Sequence, residues 1–136
     1  MVTLELLNSI RKHEGFRAKV YDDHLGNPTI GYGFLIDSLV LDEDIANIIL
    51  QRKLEALIRR IEFKFGWFAD LPGTVKDVVI EMSFQLGLSG FSKFRKTIEH
   101  LKNEEWESAA DEMLDSKWAV QTPNRAKALS DRVRCV

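Results

Sequence analysis

Glu14, Asp23 and Thr29 are the residues of this 136-residue chain whose types and spacing could do chemistry. Glu14 directly precedes Gly15, Asp23 comes just before a turn-rich segment, and Thr29 follows that segment. If the fold brings the three together in one cleft, they supply an acid, a carboxylate and a hydroxyl that can hold water. Those groups could together hydrolyse a glycosidic bond.

A helix over residues 4–14 is predicted to position Glu14. Thr3 stands in the capping position, and Ile10 and Glu14 lie four residues apart on one face. Gly15 follows where a helix commonly closes. We expect burial on this face and the negative end of the helix dipole to favour the protonated carboxyl, which suits a general acid. The alternative is an exposed helix-end residue whose stem covers the edge of the core.

A β-hairpin over residues 18–34 is predicted to position the other two groups, because β-forming residues flank the turn-rich segment 25–28. Neighbours in an extended segment point to opposite faces, so only one of Asp22 and Asp23 can face a given cleft. The alternative for both aspartates is a local hydrogen bond to the turn backbone. Thr29, taken alone, is an ordinary strand residue.

The remainder of the chain predicts helices. A long helix starts near Asp42 and runs to about residue 64, and residues 66–73 then break the helical pattern. An amphipathic helix carrying Val75 to Leu86 follows and stops at residues 87–90. Three shorter helices come next: one after Ser92, one carrying Trp106, and one opened by Thr122 and Pro123. The predicted class is α+β, with a small β-containing N-terminal lobe on a mostly helical body.

Composition excludes several functional classes. A net charge of -2 argues against a nucleic-acid-binding protein. No apolar run approaches the roughly 20 residues of a membrane span, and the N-terminus does not have the form of a signal peptide. The content of 45% hydrophobic residues fits a single domain with one core. Cys135 has no partner in the chain.

Motif spacing excludes further classes. His13, His24 and His100 are scattered, so no metal-ligand spacing occurs, and no serine or cysteine nucleophile motif is present. The segment Gly31-Tyr32-Gly33 does not have the third glycine or the βαβ context of a nucleotide site. We therefore expect neither a metal nor a cofactor.

Four segments in their order along the chain carry a family resemblance. They are Glu14-Gly15, Tyr21-x-Asp23-x-x-Gly26-x-x-Thr29-Ile30-Gly31-Tyr32-Gly33, Phe84-Gln85, and Trp118-x-x-Gln121-Thr122-Pro123-Asn124-Arg125. With them, the chain resembles the T-even-type phage lysozymes, endolysins of glycoside hydrolase family 24, over nearly its whole length. The resemblance implies a lysozyme-like fold of one domain: a β-containing lobe at about 15–40, a connecting helix at about 42–64, and a helical lobe at about 65–136 on which helix 1 packs.

The resemblance also implies an activity: hydrolysis of the β-1,4 bond between N-acetylmuramic acid and N-acetylglucosamine in peptidoglycan, with inversion at the anomeric carbon. By residue, it makes Glu14 the general acid and Asp23 the second carboxylate, while Thr29 helps to place the attacking water. Inversion requires roughly 6.5 to 9.5 Å between the two carboxyl groups.

Four further residues resemble the family's substrate-binding positions: Phe84, Gln85, Asn124 and Arg125. Gln85 is the candidate for hydrogen bonds to sugar, and Phe84 is the candidate for packing. The resemblance places Arg125 near Glu14 from the other lobe, where its charge would oppose protonation of the carboxyl. Trp118, in the same motif, is expected in the core.

The expected setting is a monomeric endolysin that lyses the host cell. It accumulates in the host cytoplasm and reaches peptidoglycan in the periplasm after a separate phage protein permeabilises the membrane, without inserting there itself. Two alternatives stay open: a lysozyme module of a phage tail or injection device, and a peptidoglycan-binding module without turnover. Phe34 departs from the family pattern, since many relatives carry histidine at this position.

Overall fold

The computed structural model describes residues 1–136 and divides the chain into two compact units, Met1–Ala46 and Asn47–Val136. Each unit has its own secondary structure. Helices predominate, and a three-stranded antiparallel sheet lies in the first unit. The predicted α+β class is confirmed. None of the helices is both long enough and apolar enough to cross a membrane.

Helix α1 spans Leu4–Glu14, with the predicted bounds. The Thr3 side chain caps it by accepting a hydrogen bond of 3.1 Å from the backbone N–H of Leu6. Gly15 ends the helix at φ 70°, a conformation that glycine adopts without steric cost. The start and the end of α1 are therefore both set by local sequence.

The predicted hairpin is present and gains a third strand. Strand β1 spans Arg17–Asp22, β2 spans Pro28–Gly31 and β3 spans Phe34–Leu35, in the order β1-β2-β3. Tyr21 pairs with Thr29 across the β1–β2 ladder. Strand β3 was missed because two residues are too few to show an alternating pattern.

Helix α2 spans Glu43–Lys64 and runs from the first unit into the second. Asp42 Oδ1 accepts a hydrogen bond of 2.9 Å from the backbone N–H of Ile45, which satisfies one of the free donors at the helix start. Leu57 and Ile61, one turn apart, are its buried residues. The predicted bounds of the long helix are confirmed to within a residue.

The second unit is a cluster of helices, and a short 3₁₀ segment, Gly66–Asp70, precedes the next helix along the chain. Helix α3 spans Gly73–Ser92 and breaks at Gly87, whose φ of 78° is not helical. The predicted stop at this glycine is therefore correct, although a short helical stretch follows it. The remaining helices are α4 (Arg95–Lys102), α5 (Trp106–Leu114), α6 (Lys117–Gln121) and α7 (Pro123–Arg134). Helix α6 was not predicted.

The hydrophobic core belongs to the second unit. It includes fully buried aliphatic, aromatic and sulfur-containing side chains from α2, α3, α5 and α7: Ile61, Val75, Val79, Phe91, Met113 and Val133. Trp118 is 4% exposed, so its predicted place in the core is confirmed. The prediction that α1 packs on the helical lobe stays a prediction.

Candidate active site

Glu14 is exposed at the end of α1, and the predicted burial of its face is wrong. No residue of α1 is buried, and Leu7 and Ile10 expose more than a third of their surface. Leu7 and Ile10 do lie on one face of α1, but the sheet of the same unit does not cover that face.

The carboxyl group of Glu14 lies against Gly33, at the far end of the hairpin. Gly33 has a φ of 75°, and a Cβ built on it would lie 3.0 Å from Glu14 Cδ and nearer still to Oε2. Real Cβ contacts are almost never this short, so only glycine leaves room for the carboxyl group in this position. The second glycine of the Gly31-Tyr32-Gly33 motif is thus a neighbour of the candidate acid.

Asp23 lies in the turn between β1 and β2, where its carboxylate organises the backbone. Oδ1 accepts hydrogen bonds of 2.9 Å from the backbone N–H groups of both Leu25 and Asn27. The backbone hydrogen bond from Asn27 has the largest effect on the pKa of Asp23 and lowers it; desolvation opposes this effect, and the hydrogen bond from Leu25 lowers the pKa further. The local-turn alternative for Asp23 is therefore correct, and it keeps the side chain ionised.

Thr29 is 2% exposed and is the one buried residue of Met1–Ala46. Its hydroxyl donates a hydrogen bond of 2.8 Å to the carbonyl oxygen of Asn27. A hydroxyl has one hydrogen and two lone pairs, so this bond leaves Thr29 able only to accept from another partner. Toward a water molecule, Thr29 is an acceptor.

The carbonyl of Asn27 joins the two candidate groups. Its oxygen accepts one hydrogen bond from the hydroxyl of Thr29 and a second, of 2.9 Å, from the backbone N–H of Asp23. Asn27 is a residue that sequence reasoning placed only in a turn. The signal that could have identified it is the Asp-x-x-x-Asn spacing, which allows an aspartate oxygen to bond the N–H four residues on.

Gln85 and Trp118, from two of the matched segments, are hydrogen-bonded to each other in the second unit. The indole Nε1–H of Trp118 donates to Gln85 Oε1 at 2.8 Å. This bond uses the amide oxygen of Gln85 and leaves its NH₂ group for other acceptors. Phe84, the preceding residue, is 44% exposed.

Arg125 forms an ion pair with Glu81, a residue that sequence reasoning did not single out. Arg125 Nε donates to Glu81 Oε2 at 2.9 Å, and both side chains are more than one-third exposed. With Phe84 they border a groove of about 600 Å³ in the second unit. Asn124 is exposed at the start of α7. The expected pairing of Arg125 with Glu14 stays a prediction.

Comparison with known proteins points to one family. The family model for phage lysozyme matches residues 11–134. Probable T4-type lysozyme 2 of Dictyostelium discoideum is 28% identical over 150 residues, covering 89% of this chain and 88% of the relative. Probable T4-type lysozyme 1 of the same organism is 27% identical over 146 residues, covering 86% of each chain. The pre-baseplate central spike protein Gp5 of Enterobacteria phage T4 is 27% identical over 157 residues, covering 93% of this chain but 27% of that protein.

One unit contains a small antiparallel sheet and the other is helical, which fits the lysozyme-like α+β class that the resemblance implied. The match covers all but the first ten and the last two residues. The chain therefore belongs to the phage lysozyme family, and it is a glycoside hydrolase of the lysozyme type.

Proposed function

We propose that this protein hydrolyses the β-1,4 bond between N-acetylmuramic acid and N-acetylglucosamine in peptidoglycan, with inversion at the anomeric carbon. The observation that carries the proposal is the turn in which the backbone N–H of Asp23 and the hydroxyl of Thr29 both donate hydrogen bonds to the carbonyl oxygen of Asn27. The Glu14 carboxyl group, against Gly33, belongs to the same unit. An acid, a carboxylate and a water-accepting hydroxyl are thus carried by one small unit.

The roles follow from the state of each group. Glu14, exposed at the end of α1, donates a proton to the leaving sugar oxygen. Asp23 stays ionised because the turn N–H groups lower its pKa, so it can stabilise positive charge that develops on the sugar. Its second oxygen, Oδ2, is free of backbone hydrogen bonds and can accept a proton from water.

Thr29 fixes the direction in which the attacking water points. Since the hydroxyl hydrogen is already donated to Asn27, a water bound at Thr29 must donate one of its own hydrogens there. Its oxygen lone pairs are then left to attack the anomeric carbon. Thr29→Ser retains this geometry, whereas Thr29→Val, of similar volume, removes it.

Substrate binding is proposed for Gln85, Phe84, Asn124 and Arg125. The Gln85 amide is oriented by Trp118, so its NH₂ group is a fixed donor for a sugar hydroxyl or acetamido oxygen. Exposed Phe84 offers an apolar surface for a sugar ring. Gln85→Glu should raise KM more than it lowers kcat, because it alters binding and leaves the carboxyl pair intact.

The test is muropeptide release from purified peptidoglycan by wild type, Glu14→Gln and Asp23→Asn. We expect each variant to lose about 10²-fold or more of the rate, the usual contribution of a positioned acid or base. Two matched variants control for loss of charge: Glu5→Gln on the same helix and Asp22→Asn beside Asp23. Near-normal rates in Glu14→Gln would remove Glu14 from the mechanism, and the anomer first seen by NMR decides between inversion and retention.

The proposed biological role is host cell lysis by a monomeric endolysin that depends on a separate phage protein to permeabilise the host membrane. The protein would accumulate in the host cytoplasm and act on the wall from the periplasm. In cells that express it, turbidity should fall only after the inner membrane is permeabilised, and the Glu14→Gln strain should stay turbid. Lysis without permeabilisation would contradict this role.

A second candidate role is a lysozyme module of a phage tail or injection device. The observation in its favour is the match to spike protein Gp5, which extends over 93% of this chain. Co-purification of the protein with phage particles, instead of its recovery as free protein from the infected cell, would favour this role.

A further inference from the structure

We infer that a surface near the C-terminal end of α2, which we call the α2 patch, binds anionic lipid bilayers. It borders a groove of about 680 Å³ that lies within the second unit. The residues of the α2 patch are Ala56, Arg59, Arg60, Phe63, Lys64 and Leu88. None of them takes part in the proposed hydrolysis, so the inference goes beyond the proposed function.

An exposed aromatic ring lies at the centre of the α2 patch. Phe63 is 95% exposed, more than any other aromatic side chain of the protein. Leu57 and Ile61 are buried and turn one face of α2 toward the core. Phe63 follows Ile61 by two residues, about 200° further around the helix, so its ring points away from the core. The ring is therefore free to enter an apolar phase outside the protein.

Three cations lie beside this ring. Arg59 and Arg60 precede Phe63 by four and three residues, the spacings at which side chains on a helix are neighbours, and Lys64 follows Arg60 by four. None of the three cations is within ion-pair distance of a carboxylate. Lys64 Nζ instead lies 5.8 Å from the centre of the Phe65 ring. Their charges are thus available to an external anion.

The charge of this part of α2 is opposite to that of the whole chain. Residues 52–64 contain five cationic residues and two glutamates, a formal excess of three positive charges on a protein whose net charge is -2. The two glutamates, Glu55 and Glu62, do not border the groove. A local positive field of this kind attracts an anionic surface.

An anionic bilayer matches the combination of cations and ring better than a soluble polyanion does. A polyanion is hydrated throughout, so it would bind the cations but bury little of Phe63. A bilayer presents phosphates at its surface and apolar chains directly beneath, so the ring can enter while the cations stay among the headgroups. The guanidinium groups of Arg59 and Arg60 suit phosphate because each can donate two parallel hydrogen bonds. The association is peripheral, since only the ring passes the headgroups.

The experiment is co-sedimentation of the full chain with lipid vesicles. One set of vesicles is pure phosphatidylcholine, and the other is an equal mixture of phosphatidylcholine and phosphatidylglycerol. We expect binding to the mixed vesicles to be about tenfold or more tighter at low salt, and to weaken as added salt screens the charges. Equal binding to both kinds of vesicle, or binding to neither, would overturn the inference.

Two double variants separate the α2 patch from general charge. Arg59→Gln/Arg60→Gln should weaken binding to the mixed vesicles about tenfold or more, because it removes two cations from the contact surface. Arg95→Gln/Lys96→Gln removes the same charge from exposed positions of α4 and should leave the affinity within about twofold. Equal losses in the two double variants would show that the α2 patch is not the binding surface.

Phe63 distinguishes a bilayer from a soluble polyanion. Phe63→Ser should weaken vesicle binding about tenfold, because the apolar ring no longer enters the bilayer. Phe63→Trp should keep the wild-type affinity, since tryptophan is favoured at membrane interfaces. Binding that is lost in Arg59→Gln/Arg60→Gln but unchanged in Phe63→Ser would assign the α2 patch to a soluble polyanion and overturn the inference. The vesicles contain no peptidoglycan, so the result is independent of the proposed hydrolysis.

Discussion

The two units of this protein are stabilised by different kinds of interaction. The second unit, Asn47–Val136, contains every buried apolar side chain of the chain. The first unit, Met1–Ala46, has one buried residue, Thr29, and its order comes from a helix cap, a short sheet and a hydrogen-bonded turn. The candidate acid and carboxylate both belong to the first unit.

This difference assigns the stability of the protein mainly to the second unit and the candidate catalytic groups to the first. Burial of apolar surface is the dominant stabilising contribution in folding, so the second unit should determine the free energy of unfolding. Hydrogen bonds contribute less to net stability but fix direction, so the turn around Asn27 can orient Asp23 and Thr29 without a core beneath it. Substitutions in the two units should therefore have different main effects.

The largest effect on stability is expected from Phe91→Ala. Phe91 is fully buried and packs its ring 6.0 Å from that of Phe65 and 6.4 Å from that of Phe94. The cavity should lower the free energy of unfolding by about 3–5 kcal/mol, measured by urea denaturation. Phe63→Ala is the control, since Phe63 is 95% exposed and should change stability by less than about 0.5 kcal/mol. Similar losses in both variants would contradict the assignment of the core.

A smaller loss of stability with a specific loss of activity is expected from Gly33→Ala. The positive φ should cost about 1–3 kcal/mol, and the new methyl group should displace the Glu14 carboxyl, lowering hydrolysis on the order of 10²-fold. Gly87→Ala is the matched control, because Gly87 also has positive φ but nothing lies within 4 Å of its added Cβ. Both variants should lower the temperature of thermal unfolding, but only Gly33→Ala should also lower the rate of muropeptide release.

The ion pair of the second unit should matter less for stability. Glu81→Gln and Arg125→Gln each remove a partly exposed pair, which is worth about 0.2–1 kcal/mol and less in high salt. Arg125 is also a proposed substrate-binding residue, so only its variant should raise KM. Equal kinetic effects would indicate that the pair as a whole, and not Arg125 itself, supports substrate binding.

The smallest effect is a pH dependence of the turn. Hydrogen bonds from Asn27 and Leu25 lower the folded-state pKa of Asp23, so its contribution to stability is present above the unfolded-state pKa of about 4 and is lost as pH falls through the lower folded value. NMR of the Asp23 carboxyl carbon should show a midpoint below the usual range. Amide protection of Asn27 should fall with it. A midpoint above about 4 would contradict this account.

Local sequence was sufficient for much of the fold. Thr3 and Gly15 bound α1, and Asp42 caps α2, because caps act through hydrogen bonds to residues three or four positions away. Gly87 breaks α3 where predicted, since its conformation is one that other residues avoid. Strand β3 and helix α6 were not predicted, because segments of two and five residues show no periodicity.

The candidate site was predictable as a set of residues but not as a set of contacts. The order of the motifs identified Glu14, Asp23 and Thr29, and these residues remain the proposed catalytic groups. The apolar spacing of α1 predicted burial of Glu14, and the structure leaves it exposed. Spacing shows which residues share a face, but only the folded chain decides whether anything covers it.

The sequence by itself determined the helix ends, the hairpin, the family and the identity of the candidate residues. These features depend on interactions over a few residues or on the order of residues along the chain. The tertiary structure alone decided that Gln85 is held by Trp118 and that Arg125 pairs with Glu81, contacts that join residues 33 and 44 positions apart. Such pairings depend on how whole helices pack, and no local pattern records them.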